Sequence, residues 1–192
     1  MTAVQGPRVT LRAFRPEEIE DAMRRMGGGI EPSNGGQSMR RRARLQGSGA
    51  RNDWEVLFAV EAEGRLVGDA QGRCSDHAMP PGVWEIGIEL WDPADRGRGL
   101  GREAVAHLST HLFEHEAAIR VQATTDVVNS PMRRVLESLG FGFEGVLRGF
   151  MPTGEGTARD YAIYGITIDD WTTRRLERGV WGLKERARTR ER

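Results

Sequence analysis

Residues 83–125 carry the pattern that most narrows what this chain can fold into. VWEIGIELW at 83–91 alternates and is rich in β-branched and aromatic residues, so it predicts a strand, which Asp92-Pro93 ends. RGRGLGRE follows at 96–103, and Ala104, Leu108 and Leu112 then recur every four residues, one face of a helix predicted over 99–117. IRVQATT at 119–125 returns as a strand. Strand, glycine turn, helix and strand make a βαβ unit, whose two strands run parallel with a right-handed crossover. Glycines at 97, 99 and 101 weaken the start of that helix. Packing alone does not select them; a ligand that must approach the backbone does.

The flanking sequence predicts an α/β domain over 1–171 with a basic helical tail at 172–192. VTLRAF at 9–14 alternates like a half-buried strand, and Arg15-Pro16-Glu17-Glu18 opens a helix reaching about Met26. The Gly-, Ser- and Arg-rich text at 27–49 reads as a mobile loop around a short basic helix at 37–46. Segments 57–61 and 66–73 form a hairpin through Glu63-Gly64. Asn129-Ser130-Pro131 starts a further helix that Leu139-Gly140-Phe141 stops. Segments 143–147 and 159–168 then pair as antiparallel strands around the Gly-rich loop at 152–156.

Charge and cysteine content exclude several classes. The 28 basic and 28 acidic side chains leave no global field to recruit nucleic acid or membrane. The arginine-rich loop and tail lack the aromatic interleaving of a single-strand RNA binder. A lone Cys74 excludes an internal disulfide and a thiolate metal cluster. Neither a secretory leader nor an apolar run of membrane-spanning length is present, so a cytoplasmic location is the expectation.

A helix N-terminus presents unpaired N–H groups and about half a positive charge. Glycines admit a phosphate to those amides, and Arg96, Arg98 and Arg102 add charge around it. The P-loop is ruled out because Arg102-Glu103 stand where it needs Lys-Ser/Thr. The dinucleotide fingerprint is ruled out because Arg102 takes the place of its third glycine.

Arg96-Gly97-Arg98-Gly99-Leu100-Gly101, between a strand and an amphipathic helix, resembles the acyl-coenzyme A turn of the GNAT superfamily of N-acetyltransferases. Glu85-Ile86-Gly87-Ile88 and Leu90 before the turn, and Asn129, Arg134-Val135-Leu136-Glu137 and Leu139-Gly140-Phe141 after it, resemble further conserved blocks. The opening Leu11-Arg12-Ala13-Phe14-Arg15-Pro16-Glu17 and the closing Arg159-Asp160-Tyr161-Ala162-Ile163-Tyr164-Gly165 look like the RimJ/RimL branch, which includes N-terminal acetyltransferases of ribosomal proteins. The resemblance covers residues 8–171 and implies a mixed, mostly antiparallel sheet with a splayed parallel pair and flanking helices. It implies that backbone amides of Arg96, Gly97, Arg98, Gly99, Leu100, Gly101 and Arg102 hold the pyrophosphate of acetyl-CoA. Leu90 and Trp91 would pair with the pantetheine amides, and Asn129 and Met132 would meet the same arm.

Amine acetylation needs a base, because an ammonium ion is not a nucleophile. Glu85 lies eleven residues before Arg96, where relatives carry a strand glutamate acting directly or through water. Buried there, it would suit proton transfer near neutrality. Glu89 lies on the same strand face and is the second candidate. The resemblance supplies no acid for the thiolate: Met132 stands where relatives often have serine, Gly149 where part of the branch has glutamate, and Tyr161 and Tyr164 are assigned to packing. The function implied is direct acetyl transfer, in a ternary complex, to a primary amine on a small molecule or peptide N-terminus, by a monomer or homodimer. The alternatives are an acyl-CoA-binding sensor and another short acyl-CoA donor. His107, His111 and His115 form a stripe without further metal ligands, placed at the edge of the exposed face, so no metal is expected. Arg40 and Arg44, on the longest loop, are candidates for holding an anionic acceptor.

Overall fold

A computed structural model describes residues 4–26, 35–74, 79–154 and 156–178. Strands β1 (Val4–Gln5), β2 (Val9–Arg12), β3 (Glu55–Ala62), β4 (Arg65–Arg73), β5 (Val83–Leu90), β6 (Arg120–Asp126), β7 (Gly142–Pro152) and β8 (Ala158–Thr167) form one sheet. Their order is β1-β2-β3-β4-β5-β6-β8-β7, and among the described residues only β5–β6 is parallel. Helices α1 (Ile19–Arg25), α2 (Gly35–Gln46), α3 (Leu100–His115), α4 (Ser130–Leu139) and α5 (Ile168–Arg178) flank it. The βαβ unit is thus β5–α3–β6, and the β3–β4 hairpin turns on Glu63 and Gly64, both with positive φ (52° and 74°). The basic helix expected at 37–46 is α2, two residues longer; 27–34, the rest of the expected mobile loop, fall outside the described residues. Residues 172–178 of the expected tail continue α5, while 179–192 lie outside them too. No helix of the described residues is long and apolar enough to cross a membrane.

The parallel pair is short. Val83–Glu85 register with Arg120–Gln122, after which β5 stays with β4 as far as Leu90 and β6 stays with β8 as far as Asp126. The sheet therefore opens into a V whose apex lies at Glu85 and Gln122. Val56, Phe58, Ala70, Trp84 and Ile86 pack one face against Leu108 and Leu112 of α3. On the opposite face Leu57 and Ala59 of β3 meet Phe14, Ile19, Ala22 and Leu45, which seats α1 and α2. Arg12 ties the start of this layer together, donating to both oxygens of Glu18 (2.7 and 2.6 Å) and to Glu61 (2.7 Å).

The histidine stripe is corrected by the fold. His107 and His111 are 1% and 5% exposed, and only His115 reaches solvent. The N-terminal segment covers this side of α3: the backbone of Gly6 lies against His107, and the amides of Arg8 and Val9 donate to Glu103 (both 2.9 Å). Phe58 meets His111 edge-on with centroids 5.1 Å apart. Burial pushes both imidazoles below 6.5, with Glu103 and Glu116 offsetting part of the shift. Below that value the unfolded chain binds protons that the folded chain refuses, so these groups cost stability as pH falls from about 6.5. Asp69 opposes the trend, because burial raises its carboxyl to about 6 and the folded state binds that proton first. Urea unfolding of wild type and His107→Gln/His111→Gln across this range isolates the histidine part. The double variant is expected to lose the acid-side decline, and equal pH slopes would contradict it.

Candidate active site

The turn after β5 is built to expose its backbone. Asp92 accepts a hydrogen bond from the Ala94 amide (2.8 Å), while Asp95, 3% exposed, takes ion pairs from Arg65 (3.0 Å) and Arg98 (3.4 Å). Gly97 and Gly99 then adopt left-handed φ of 72° and 83°. Gly99 is the N-cap of α3 and supplies no side-chain cap, so the first amides of the helix keep their donors for a ligand. A Cβ on Gly97 would meet nothing within 4 Å: the space beside the turn is open.

That space belongs to a cleft of about 500 Å³ between the turn, the end of β5 and the start of α4. Leu90, Arg96, Gly97, Gly99, Gly101, Arg102, Asn129 and Met132 line it together. Asn129 does two jobs, accepting from the Met132 amide (3.3 Å) as helix cap and donating to Thr125 (3.1 Å) while it borders the cleft. Three predicted residues do not line the cleft. Leu100 is buried at 2% exposure and has only its backbone to offer. Arg98 is held by Glu63 (2.6 Å) and Asp95. Trp91 turns its side chain to the opposite face of the sheet. Arg96 donates through Nε and Nη2 to the Leu90 carbonyl (3.2 and 3.0 Å), and Arg102 to Ser138 (3.1 Å).

The cleft also shows what sequence reading missed. Pro131, Arg134, Val135 and Ser138 form its α4 wall. Their spacing on a helix capped by Asn129 puts them on one face, a signal that was present in the sequence. Glu103 was missed as well. Burial alone would raise its carboxyl, but the amides of Arg8 and Val9, with His107 and the Arg8 side chain, hold it below 4.5. It staples β2 to the first turn of α3, directly behind the uncapped amides of that turn.

Glu85 sits at the apex of the V, on the face away from α3. It is half-buried rather than buried, because the splay leaves its outer side uncovered. Thr124 donates to its Oε1 from β6 (3.1 Å), and Arg73 approaches at 3.4 Å. Glu89 shares that face and is exposed. Across from Glu89 in the β4–β5 register lies Asp69, 4% exposed, which accepts a hydrogen bond from the Trp91 indole (2.9 Å). Burial, then the Glu89 charge, raise its carboxyl to about 6 against the pull of the indole and of Arg44.

Arg40, Arg41 and Arg44 line a separate recess of about 250 Å³ on α2. Arg44 is committed inward, donating to both oxygens of Glu55 (2.6 and 2.5 Å) and to Gln71 (3.0 Å). Arg40 and Arg41 have no ionic partner among the described residues. Cys74 is buried, as a small apolar side chain. No group of three or more metal-ligating side chains is assembled among the described residues.

The sequence matches the family model described as an acetyltransferase (GNAT) domain over residues 8–142. It is similar to the SPbeta prophage-derived uncharacterized N-acetyltransferase YokL of Bacillus subtilis strain 168, 27% identical over 172 residues that cover 86% of this chain and 93% of that protein. It is also similar to the mycothiol acetyltransferase of Acidothermus cellulolyticus, 31% identical over 170 residues, covering 78% of this chain but only 51% of that longer protein. Among solved structures, Mycobacterium smegmatis RimJ in complex with CoA-disulfide shares the fold, with a TM-score of 0.68 at 22% identity over 93% of each chain. The glycine turn on a splayed mixed sheet and the family match over most of the chain agree: this protein belongs to the GNAT acetyltransferase family.

Proposed function

We propose that this protein transfers an acetyl group from acetyl-CoA to a primary amine by direct attack in a ternary complex. The observation that carries the reading is the cleft shared by Leu90, the left-handed glycine turn and the start of α4. Its dimensions and donors suit a cofactor with a pyrophosphate at one end and an amide-bearing arm at the other. The amides of residues 97–102 and the Arg102 guanidinium would hold the pyrophosphate. The backbone of Leu90 would pair with the arm where β5 has left β6, whereas the Trp91 amide is already taken by the Val67 carbonyl of β4, and Asn129 and Met132 would close the arm from α4. Acetyl-CoA, when bound, supplies the activated acetyl group.

Glu85 would take the ammonium proton of the acceptor, directly or through water. Thr124 engages one of its carboxylate oxygens, which leaves Oε2 for this task. Solvent would protonate the departing thiolate, since Ser138, the hydroxyl lining the cleft, already donates to the Val135 carbonyl. Calorimetry with acetyl-CoA tests the cofactor half of this reading. Binding below millimolar concentration is expected, and no heat at millimolar ligand would remove it.

The RimJ/RimL-like opening and closing blocks favour a peptide N-terminus as acceptor. An arginine recess on α2 favours one with a nearby carboxylate or phosphate, because guanidinium pairs with both. Arg40 and Arg41 carry that role directly, and Arg44 supports it by holding Glu55. Arg40→Gln/Arg41→Gln is expected to raise the KM of an acidic acceptor severalfold, leave acetyl-CoA affinity unchanged and flatten the salt dependence of kcat/KM. Arg44→Gln is expected to lower Tm instead, by leaving the buried Glu55 without its partner. Unchanged kinetics in the double variant on its best acceptor would assign these arginines to a solvated helix face.

A further inference from the structure

We infer that Asp69 is a positioning residue for the acceptor: its carboxylate holds the Trp91 indole as a wall between the splayed end of β5 and helix α1. The inference rests on the acetyl-transfer reading for what the wall does, but not for its existence. Arg12, Ala59, Asp69 and Glu89 are consecutive partners across β2, β3, β4 and β5, so they lie in one row on the face opposite α3. The small Ala59 is the β3 neighbour of Asp69 in this row, and Asp69 is buried there. Its one hydrogen bond among the described residues comes from Trp91 Nε1, at 2.9 Å. Trp91 is the first residue beyond β5, and its amide is fixed to the Val67 carbonyl (3.1 Å). Its ring stacks on Phe14 with centroids 6.4 Å apart, and the Arg25 guanidinium of α1 lies 5.7 Å above it. The adjacent Leu90 points the other way, into the cofactor cleft. One backbone step thus joins the cleft to the wall that faces the acceptor side.

A purely structural role would be served better by asparagine. An amide oxygen accepts the same indole N–H without the desolvation that a carboxylate suffers on burial. The carboxylate is kept among charged neighbours: Glu89 on β5 beside it, Arg44 reaching from α2 while bound to Glu55 of β3 and Gln71 of β4, and Arg25 of α1 beyond the indole. Arg12 lies further along the row, occupied by Glu18 and Glu61. Above pH 6 the indole is held by a charged acceptor, and below it by a neutral one with about half the hold. The acid side of the acceptor profile then reports Asp69 in addition to the acceptor amine.

The test combines an NMR titration with kinetics. In uniformly ¹⁵N-labelled protein, the Trp91 indole N–H, assigned by its loss in Trp91→Phe, is expected to shift with a midpoint of about 6 in wild type and to stay fixed in Asp69→Asn. Asp69→Asn is expected to keep or raise Tm, hold kcat near wild type, and lose the component of the acid limb near pH 6 in acceptor kcat/KM. Trp91→Phe is expected to raise acceptor KM about tenfold, the worth of one hydrogen bond to a charged group, with kcat much less affected. An indole that does not titrate, that titrates equally in Asp69→Asn, or a wild-type acceptor KM in Trp91→Phe would each overturn the inference. Titration of the indole in a protein that acetylates no amine would instead overturn the acetyl-transfer reading and leave the Asp69–Trp91 wall standing.

Discussion

Glu85→Gln is expected to lower kcat by about 10²- to 10⁴-fold, the usual cost of losing a general base, while acetyl-CoA affinity stays within about a factor of two. The substitution is nearly isosteric, and the glutamine carbonyl can still accept the Thr124 hydroxyl that bridges β6 to β5 at the apex of the V. The strand geometry is therefore preserved, and what is removed is the proton acceptor together with its long ion pair to the exposed Arg73. A base acts in the transition state, so its loss appears in kcat rather than in ground-state cofactor binding. Single-turnover acetylation and calorimetry on one preparation separate the two. A wild-type rate at saturating acceptor would move the role along the strand to Glu89 or to solvent.

Gly99→Val is expected to do the reverse. Position 99 has φ of 83°, and a β-branched residue is strained there by about 1–2 kcal/mol before any ligand is considered. The new Cβ would come within 3.0 Å of the Arg8 guanidinium, and its methyl groups would stand before the first amides of α3. Arg8 is a flexible side chain and can give way; a pyrophosphate seated on those amides cannot. Acetyl-CoA affinity is expected to fall at least about 100-fold, through lost amide–phosphate bonds of charge-assisted strength. Circular dichroism and Tm separate loss of binding from loss of fold. A folded variant with unchanged affinity would make the turn a structural feature of the β5–α3 connection only.

Local patterns carried much of this into the sequence. The βαβ unit was legible because apolar spacing switches from two to nearly four at the glycine turn, and Asn129 announced its helix through cap chemistry. Where long-range packing decides, the sequence was mute. The histidine stripe falls at the edge of the exposed face on a helical wheel, yet the turn between β1 and β2 lies against His107 and Phe58 of β3 against His111, and both are buried. Trp91 and Leu90 are neighbours in sequence, yet the alternation of an extended chain sends one to the cleft and the other to Asp69. Arg44 looked available for a ligand because Glu55 and Gln71, its partners, lie beyond the loop and on two different strands. Asp69 itself left only a faint signal, an acid in the middle of LVGDAQGR, whose burial depends on α1 and α2 closing over the sheet. The glycine turn was readable because it is one contiguous stretch, whereas its α4 wall and the Asp69–Trp91 contact come together only through the folding of the sheet and its helices.

The central claim is that the cleft at the glycine turn delivers an acetyl group to an amine. The most direct measurement follows thiol release from acetyl-CoA across a panel of peptides, amino acids, polyamines and aminoglycosides, with mass spectrometry of each acceptor. The account predicts one free thiol for each acetyl group found on an amine nitrogen, with release dependent on the acceptor and abolished in Gly99→Val. Tight acetyl-CoA binding with no acetylated amine anywhere in the panel would contradict it, and would make this member of the family an acyl-CoA-binding sensor.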